Sequence, residues 1–410
     1  MYAKIPKTAA AFLAFLLAFL SMTALISCSG GEETKPSPAE TPTAADTLSV
    51  NETTLPDTGS TPAPKDWFEI SEEEAREMND SLFLQFGISY PRFKPGKEGE
   101  AHFFGRWFEK EIDGVPHRVT TTDGAQLYFM TDGCTEITLD FTVISALETP
   151  YFAFSVDGSE PERRHVTDGK IELPDAERHL VTVIADGLTE REDKWKGEIG
   201  FALRKILVPE GGRIREAVPQ NKTVAFFGDS ITEGIAALAG AYTADQNSAT
   251  ASYPWFCAKE LGVLPYFAGY GGSGVTVKGS FGAFYLAVDH LSADRTVDGS
   301  FTPDLIVINH GYNDLSSASS AFRSGLKKAL ARLQKTYPGV PVVYMIPFNG
   351  SHKADIQTVC ADYENITIVD TDGWRIPTTD GIHPNRTGAQ TVGKLLAAAL
   401  TEIYGKEFFA

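Results

Sequence analysis

A Gly-Asp-Ser tripeptide at residues 228–230 is the first feature of the sequence that could do chemistry. It follows directly on the apolar run 223–227, so Ser230 is expected just beyond the carboxyl end of a buried strand, where a hydroxyl can face a crevice. Gly228 permits the sharp exit from that strand. The same tripeptide is also common in turns and helix caps, so a nucleophilic Ser230 needs support from other segments.

A second polar segment, Gly-Tyr-Asn-Asp at residues 311–314, follows the apolar run 305–309. The Asn313 side chain could present an amide N–H to a developing oxyanion. Asp314 could fix the loop by accepting hydrogen bonds from nearby backbone donors. The alternative is an Asx turn without a catalytic role.

The third segment, Asp-Gly-Ile-His-Pro at residues 380–384, is expected in a loop between the last strand and the last helix. The Asp380 carboxylate can reach one ring nitrogen of His383 and leave the other free for a serine. The alternative is a surface histidine beside a helix N-terminus, with Pro384 at the first helical position. We interpret His310, which directly follows a strand, as a buried hydrogen-bonding residue or a pocket wall rather than the base.

The elements that position these segments alternate between strand and helix after residue 222. Apolar runs of buried-strand length lie at residues 223–227, 304–309, 340–346 and 366–370. Two sets of residues at helical spacing form apolar faces: Phe322, Leu326, Leu330, Leu333 and Tyr337 in one, and Val392, Leu395, Leu396, Ala399 and Ile403 in the other. This pattern predicts an α/β domain with a parallel sheet and helices on both sides, whose site lies at the carboxyl ends of the strands.

The region from about residue 102 to residue 209 has a different pattern. Short apolar runs, such as residues 127–130, 137–141 and 151–156, are separated by Asp-Gly pairs at 113–114, 123–124, 132–133, 157–158, 168–169 and 186–187. Such pairs favour tight turns between strands. The pattern predicts an all-β sandwich, a jelly roll, in front of the α/β domain.

The N-terminus is typical of an export signal. Lys4 and Lys7 precede an apolar run over residues 8–20, and Leu-Ile-Ser-Cys follows at residues 25–28. These residues resemble a bacterial lipobox, which implies lipidation of Cys28 and attachment to a membrane through that anchor. The alternatives are an uncleaved membrane anchor or ordinary signal cleavage near Ala24. We therefore expect an exported lipoprotein at the bacterial outer membrane, the cell surface or the periplasm.

Four segments follow from these patterns: a signal peptide at 1–27, a flexible tether at 28–65, the β-sandwich at 66–210 and the α/β domain at 220–406. The tether is rich in Pro, Thr, Ser and Ala and has too few large apolar residues to fold.

Composition excludes other classes of function. The net charge of −18 argues against a nucleic-acid partner, which would need clustered Lys and Arg. Besides Cys28, the chain has Cys134, Cys257 and Cys360, which allow at most one disulfide and show no metal-type spacing. No metal or other cofactor is expected.

With all three polar segments in this order and at strand ends, residues 222–404 resemble the SGNH (GDSL-like) hydrolases. This class has a three-layer α/β fold and hydrolyses acyl esters. The resemblance implies that Ser230 is the nucleophile, His383 the base and Asp380 the orienting acid. It also implies an oxyanion hole formed by the Ser230 N–H, a glycine of residues 271–274, of which Gly274 fits best, and Asn313.

A β-sandwich in front of such a domain is similar to the two-domain carbohydrate esterases of family 2, in which a jelly roll precedes an SGNH domain that removes acetyl groups from plant polysaccharides. This implies an acetylated polysaccharide or oligosaccharide, such as xylan, as the substrate. Tyr312 and Trp374 are then candidates for an aromatic wall against a sugar ring, with core packing as the alternative for Trp374. Other hypotheses are an SGNH esterase for lipid or peptidoglycan acyl groups, and an inactive surface lipoprotein that binds glycans.

Overall fold

Twelve antiparallel strands form the first part of the described chain. The computed structural model describes residues 92–410, so the signal peptide, the tether and Cys28 lie outside the described residues. The strands are β1 Phe93–Glu98, β2 His102–Phe104, β3 Phe108–Ile112, β4 Val115–Thr120, β5 Gln126–Asp132, β6 Glu136–Val143, β7 Tyr151–Val156, β8 Glu162–His165, β9 Lys170–Glu172, β10 His179–Gly187, β11 Phe201–Leu207 and β12 Arg213–Pro219.

These strands form the two sheets of a sandwich, as the sequence predicts. One sheet has the order β1-β12-β5-β10-β7-β8, with β2 also paired to β5, and the other has the order β3-β4-β11-β6-β9. Since β12 belongs to the first sheet, that sheet continues past residue 210, the predicted end of the domain. The turn between β3 and β4 has Asp113 and Gly114 at φ 51° and 74°, which matches the expected tight Asp-Gly turn.

Strand β5 is buried on both faces, because its sheet lies between two cores. Leu127 and Phe129 pack inside the sandwich. Tyr128 and Met130, which alternate with them, pack in a core that also contains Tyr266 of the following domain. The alternation of side chains along a strand thus ties the sandwich to its neighbour.

The second part of the chain alternates strands with helices. Its strands are β13 Thr223–Gly228, β14 Leu264–Gly269, β15 His290–Ser292, β16 Arg295–Thr296, β17 Leu305–Asn309, β18 Val342–Met345 and β19 Ile366–Val369. Its helices are α1 Ser230–Glu233, α2 Tyr253–Leu261, α3 Phe284–Ala287, α4 Ser319–Thr336, α5 Lys353–Cys360 and α6 Arg386–Tyr404.

Five of these strands form a parallel sheet in the order β14-β13-β17-β18-β19. Phe227 on one face of β13 shares a core with Leu330 of α4, whereas Phe226 on the other face shares a core with Leu396 of α6. The sheet is therefore covered on both sides, and the predicted three-layer α/β fold is confirmed. Among residues 92–410, no helix combines the length and the apolar character needed to cross a bilayer.

A buried cluster of charges lies where the sandwich meets the nucleophile helix α1. The Lys194 side chain is fully buried and its Nζ lies 2.5 Å from Glu190 and 3.8 Å from Asp123, and it also donates to Glu233 of α1. Burial raises the pKa of Asp123 to about 7, although the charge of Lys194 acts to lower this pKa. Burial also raises the pKa of Glu233. One ammonium group thus neutralises carboxylates from both parts of the chain.

Replacement of this ammonium group should destabilise the protein. We expect Lys194→Met to lower the free energy of unfolding at pH 7 by about 3–5 kcal/mol, because buried carboxylates lose their cation. The loss should shrink at pH 5, since Asp123 and Glu233 have raised pKa values and are then protonated. Urea unfolding at both pH values measures this, with the exposed Lys196→Met as control at about 0.5 kcal/mol or less. Equal losses at the two pH values would contradict the electrostatic explanation.

Candidate active site

Ser230 is the first residue of α1, and only Asp229 separates it from Gly228, the last residue of β13. Asp229 caps this helix, and its side chain accepts a hydrogen bond of 3.0 Å from the Ile231 N–H. A Cβ atom at Gly228 would overlap the Thr232 side chain and lie 3.0 Å from the Asn309 carbonyl. Glycine is therefore needed at this strand end because the backbones of β13, α1 and β17 approach so closely.

The structure brings Ser230, His383 and Asp380 together in one chain of hydrogen bonds. The Ser230 Oγ lies 2.9 Å from the His383 Nε2, and the His383 Nδ1 lies 2.7 Å from the Asp380 Oδ2. An ionised carboxylate can only accept hydrogen bonds, so the His383 Nδ1 must donate to it. In the neutral ring the Nε2 then accepts from the Ser230 hydroxyl, which is the arrangement a general base requires.

The Asp380 carboxylate is held by several donors. Its Oδ1 accepts from the backbone N–H groups of Ile382 at 2.9 Å and His383 at 2.8 Å. Its Oδ2 accepts from the Tyr242 hydroxyl at 3.0 Å as well as from the His383 ring. Burial raises the pKa of Asp380, but the hydrogen bonds from His383 and Ile382 outweigh this and lower it to about 2. The carboxylate is therefore ionised at every pH at which the protein would be studied.

His383 lies in a closed loop and not at the start of a helix. The Thr379 N–H donates to the His383 carbonyl at 3.0 Å, and the imidazole is buried. Helix α6 begins at Arg386, and Asn385 caps it by accepting from the Gly388 N–H at 2.9 Å. The alternative with a surface histidine and Pro384 at the first helical position is wrong, because Asn385 provides the cap.

The Asn313 side chain lies beside the Gly-Asp-Ser segment. Its Nδ2 donates to the Ser273 carbonyl at 2.9 Å and faces the Asp229 Oδ2 at 3.4 Å. Burial raises the pKa of Asp229 to about 7, with the nearby charge of Asp314 adding to the effect and the hydrogen bond from Ile231 opposing it. The loop of residues 271–274 and the loop of residues 311–314 thus meet at the nucleophile.

Asp314 and Gly274 fit closely together. The Asp314 carboxylate accepts hydrogen bonds from the Val275 N–H at 2.8 Å and from the Thr276 N–H at 2.7 Å. A Cβ atom at Gly274 would lie 2.5 Å from this carboxylate, so only glycine fits. The Gly274 N–H donates to the Val277 carbonyl at 3.0 Å, so in this structure it is not free to donate to an oxyanion.

The two candidate substrate-binding aromatic residues are both half-buried. Tyr312 and Trp374 pack against the same apolar core, and the Trp374 ring lies 6.3 Å from that of Phe348. Burial raises the pKa of Tyr312, and the charges of Asp229 and Asp380 add to this. Trp374 thus packs against Phe348 and the neighbouring core in this structure.

His310 is not part of the triad. Its ring is fully buried and stacks on Phe284 at 4.4 Å between ring centroids. His310 is buried, as expected, but neither ring nitrogen has a hydrogen-bond partner of normal geometry among the described residues. Burial lowers the pKa of His310 to about 4, which keeps the ring neutral and apolar in character.

Tyr242 is a site residue that the sequence analysis missed. Besides its hydrogen bond to Asp380, its ring packs edge-on against the His383 ring, with 5.4 Å between centroids and 69° between planes. It lies in an irregular loop without a motif, so no local signal marks it.

Residues 92–410 contain no group of three or more His, Cys, Asp or Glu side chains that could hold a metal ion. Cys134, Cys257 and Cys360 are buried free thiols. The candidate site consists of the triad, Tyr242 and the loops of residues 271–274 and 311–314.

The region that carries this site is similar to a known family. Residues 226–391 match the model of the GDSL-like Lipase/Acylhydrolase family. No curated protein matches the chain significantly.

Several solved structures share the whole two-domain arrangement at low sequence identity. A family two carbohydrate esterase from Clostridium thermocellum in complex with cellohexaose has 17% identity and a TM-score of 0.60, over 75% of this chain and 100% of that one. An acetyl xylan esterase from the rumen bacterium Butyrivibrio proteoclasticus has 16% identity and a TM-score of 0.62, over 77% and 99%. A salicylyl-acyltransferase from a tetracycline biosynthetic pathway has 14% identity and a TM-score of 0.55, over 76% and 99%.

The family match covers the Gly-Asp-Ser segment, both neighbouring loops and His383, and the solved structures share the fold that brings them together. Residues 226–391 thus match the GDSL-like lipase/acylhydrolase family, and the described residues share the two-domain fold of the solved family two carbohydrate esterases. Together with the Ser230, His383 and Asp380 hydrogen bonds, these matches identify the chain as an ester hydrolase.

Proposed function

We propose that this ester hydrolase removes acetyl and other short acyl groups from carbohydrate, with plant polysaccharide such as xylan as the substrate class. The observation that carries the chemistry is the 2.9 Å distance between the Ser230 Oγ and the His383 Nε2. The carbohydrate part is supported by the structural likeness to a family two carbohydrate esterase and to an acetyl xylan esterase.

In the proposed mechanism, the Ser230 Oγ attacks the ester carbonyl while the His383 Nε2 takes its proton. Asp380 keeps the Nδ1–H of His383 oriented and stabilises the imidazolium that forms. His383 then donates the proton to the sugar oxygen, which leaves as an alcohol. A water molecule repeats the steps on the acyl-enzyme, so that acetate is released and Ser230 is restored.

The negative charge of the tetrahedral intermediate needs donors close to Ser230. As the first residue of α1, Ser230 has no intrahelical acceptor for its N–H. The Asn313 Nδ2 donates one hydrogen to the Ser273 carbonyl at 2.9 Å. Its second hydrogen has only a long contact, in which the Nδ2 lies 3.4 Å from the Asp229 Oδ2. This second hydrogen is the one we assign to the oxyanion, together with the Ser230 N–H and a backbone donor from residues 271–274. Gly274 can fill this role only if its N–H leaves the Val277 carbonyl when the oxyanion forms.

The aromatic side chains at the loops support a sugar rather than a long acyl chain. Tyr312 and Trp374 are half-buried and offer flat faces of the kind that sugar rings stack on. An apolar pocket lined by Tyr128, Ile184 and Trp255 contains none of the triad residues in its lining. It is therefore not an acyl tunnel that starts at Ser230.

Two other hypotheses differ from this proposal. An esterase for lipid or peptidoglycan acyl groups would use the same triad, since the fold does not determine the leaving group. An inactive glycan-binding lipoprotein would place Ser230 away from His383, and the hydrogen-bond distance between them is an argument against it.

The first prediction from the proposed function concerns the nucleophile. We expect the fragment that starts at residue 66 to release acetate from acetylated xylan and nitrophenol from nitrophenyl acetate, and Ser230→Ala to lower both rates by at least about 10³-fold. The exposed Ser300→Ala serves as the control and should keep the full rate.

The pattern of substrates then decides between the hypotheses. Cleavage of short but not long nitrophenyl esters, with acetate release from xylan, supports the proposal. Activity on long acyl chains alone would contradict it in favour of a lipid substrate. Absence of any hydrolysis that depends on Ser230 would favour the glycan-binding hypothesis.

The second prediction concerns the oxyanion hole. Asn313→Ala should lower kcat by about 10²–10³-fold, because one donor to the transition state is lost, while KM changes little. The melting temperature should be measured alongside, since Asn313 also holds the Ser273 carbonyl. A decrease in rate that follows a loss of the folded protein would not support the assignment to the oxyanion.

The third prediction concerns localisation, which rests on residues 1–28 alone. We propose that the chain is exported and anchored to the membrane through lipid on Cys28. In a bacterial host, labelled palmitate should be incorporated into the full chain and not into Cys28→Ser. Equal release of both proteins into the soluble periplasmic fraction would contradict the anchor.

A further inference from the structure

The loop of residues 236–248, here named the Tyr242 loop, lies between α1 and α2 and carries Tyr242 to the triad. Ala236 starts it in a left-handed conformation at φ 53°, and the Asn247 side chain accepts from the Ala236 N–H at 2.9 Å. The Thr379 hydroxyl, in the loop of His383, donates to the Ala236 carbonyl at 2.9 Å. The Tyr242 loop is thus attached to the loop that presents the base.

The β-sandwich holds the Tyr242 loop from the other side. Arg163 of β8 donates to three backbone carbonyl groups of the loop: those of Ala244 at 3.1 Å, Asp245 at 3.0 Å and Asn247 at 2.7 Å. The guanidinium group itself forms an ion pair with Asp186 and lies 4.7 Å above the Tyr151 ring. Its position is therefore determined by the sandwich.

Two sandwich carboxylates complete this attachment. Asp186 is fully buried and also accepts from the Ser248 hydroxyl at 3.0 Å and the Thr250 N–H at 2.7 Å. Glu148 accepts from the Ala244 N–H at 2.8 Å.

Gly187 explains how the loop can come so close to strand β10. The pair Asp186-Gly187 ends that strand, instead of forming the turn that the sequence predicts. A Cβ atom at Gly187 would overlap the carbonyl groups of Ala244 and Asn247 and the Arg163 guanidinium. Strand β10 thus has glycine where the Tyr242 loop packs on it.

The Asp380 carboxylate depends on this loop for its contact with the rest of the molecule. Its hydrogen bonds from Ile382 and His383 come from its own loop, which is exposed at Asp380 and Gly381. Among the described residues, the donor from outside that loop is the Tyr242 hydroxyl. The same Asp380 oxygen accepts from Tyr242 and from the His383 ring, so movement of Tyr242 acts directly on the bond that orients the base.

We propose that Tyr242 is a positioning residue of the esterase triad and that the β-sandwich acts on catalysis through it, by holding the Tyr242 loop with Arg163, Asp186 and Glu148. This rests on the proposed roles of Ser230, His383 and Asp380. The sandwich is then a structural part of the active site, in addition to any contact that it makes with substrate.

The test measures the nucleophile directly. The rate at which a fluorophosphonate labels Ser230, and kcat and KM for nitrophenyl acetate, are compared in the full chain and its variants. Tyr242→Phe keeps the ring on His383 and removes only the hydroxyl, so we expect labelling and kcat to fall by about 5- to 20-fold with KM changed less than about twofold. The matched control is Tyr363→Phe, which should keep the full rate. Tyr363 is half-buried and precedes β19, so it lies at the amino end of that strand, opposite the carboxyl ends that carry the site.

A double-mutant cycle separates positioning from a general structural effect. If Tyr242 acts through Asp380, Tyr242→Phe should cost no more than about twofold in the background of Asp380→Asn. The same loss of about 5- to 20-fold in both backgrounds would overturn the proposal.

The role of the sandwich is tested with Glu148→Ala, which removes the acceptor of the Ala244 N–H, and with Arg163→Lys. In the natural chain, each should lower the labelling rate by about threefold or more. In the background of Tyr242→Phe, each should have less than about half of that effect. Glu136→Ala, which removes a carboxylate of a sandwich ion pair remote from the loop, is the control. Glu148→Ala keeps the result interpretable if Arg163→Lys does not fold, because the Glu148 side chain is partly exposed.

The outcomes separate this inference from the proposed function. Labelling that depends on Tyr242, without acetate release from any glycan, would support the positioning role and contradict the substrate assignment. Acetate release that depends on Ser230, with unchanged kinetics in Tyr242→Phe, would overturn the positioning role alone. A Ser230 that no fluorophosphonate labels would overturn both.

Discussion

The hydrogen bond between Ser230 and His383 joins two residues that are 153 positions apart in the chain, and the fold is arranged to make it. A parallel sheet solves this problem, because the carboxyl ends of all its strands meet at one edge. Gly228 of β13 and Asn309 of β17 are paired neighbours at that edge, so the loops after them deliver Ser230 and Asn313 to the same place. The base comes from the loop after β19, which the order of the strands places further along the same edge.

Packing at this edge is tight. Glycine residues leave the space that is needed there, and buried polar groups bind the backbone N–H groups of the loops. Gly228 and Gly274 leave room for the Thr232 side chain and for the Asp314 carboxylate, respectively. Asp314 satisfies the backbone donors of Val275 and Thr276, so that the loop around Gly274 is held without a strand or a helix. Irregular backbone next to a nucleophile can be rigid when its N–H groups have such partners.

Much of this arrangement could be predicted from the sequence, for a physical reason. Buried strands are continuous apolar runs, and polar residues that directly follow them must lie at the sheet edge, so Ser230 and Asn313 are marked by local context alone. The tight Asp-Gly turn at residues 113–114 is local in the same sense, since it depends on two φ angles.

Other features could not be predicted, because they depend on contacts between distant segments. Tyr242 and Asp186 lie in segments whose local sequence is compatible with an ordinary loop and an ordinary turn. Strand β14, which was not predicted, joins the sheet through its pairing with β13. A histidine such as His310 is expected to form hydrogen bonds, yet its ring stacks on the Phe284 ring. In each case the deciding neighbour is remote in the chain.

The Tyr242 loop is attached to the sandwich by charged side chains, although apolar packing would avoid the desolvation free energy of a buried ion pair. Burying an ion pair costs desolvation free energy, and apolar side chains of similar volume often stabilise an interface equally well. Here, however, three backbone carbonyl groups of the loop point at the sandwich, and those of the buried residues Ala244 and Asn247 need donors. A single arginine supplies five N–H donors in a fixed plane, and Asp186 both neutralises it and orients it. An apolar junction would leave these carbonyl groups unsatisfied and would not define where the loop lies, whereas Arg163 and Asp186 define both its position and, through Tyr242, that of Asp380.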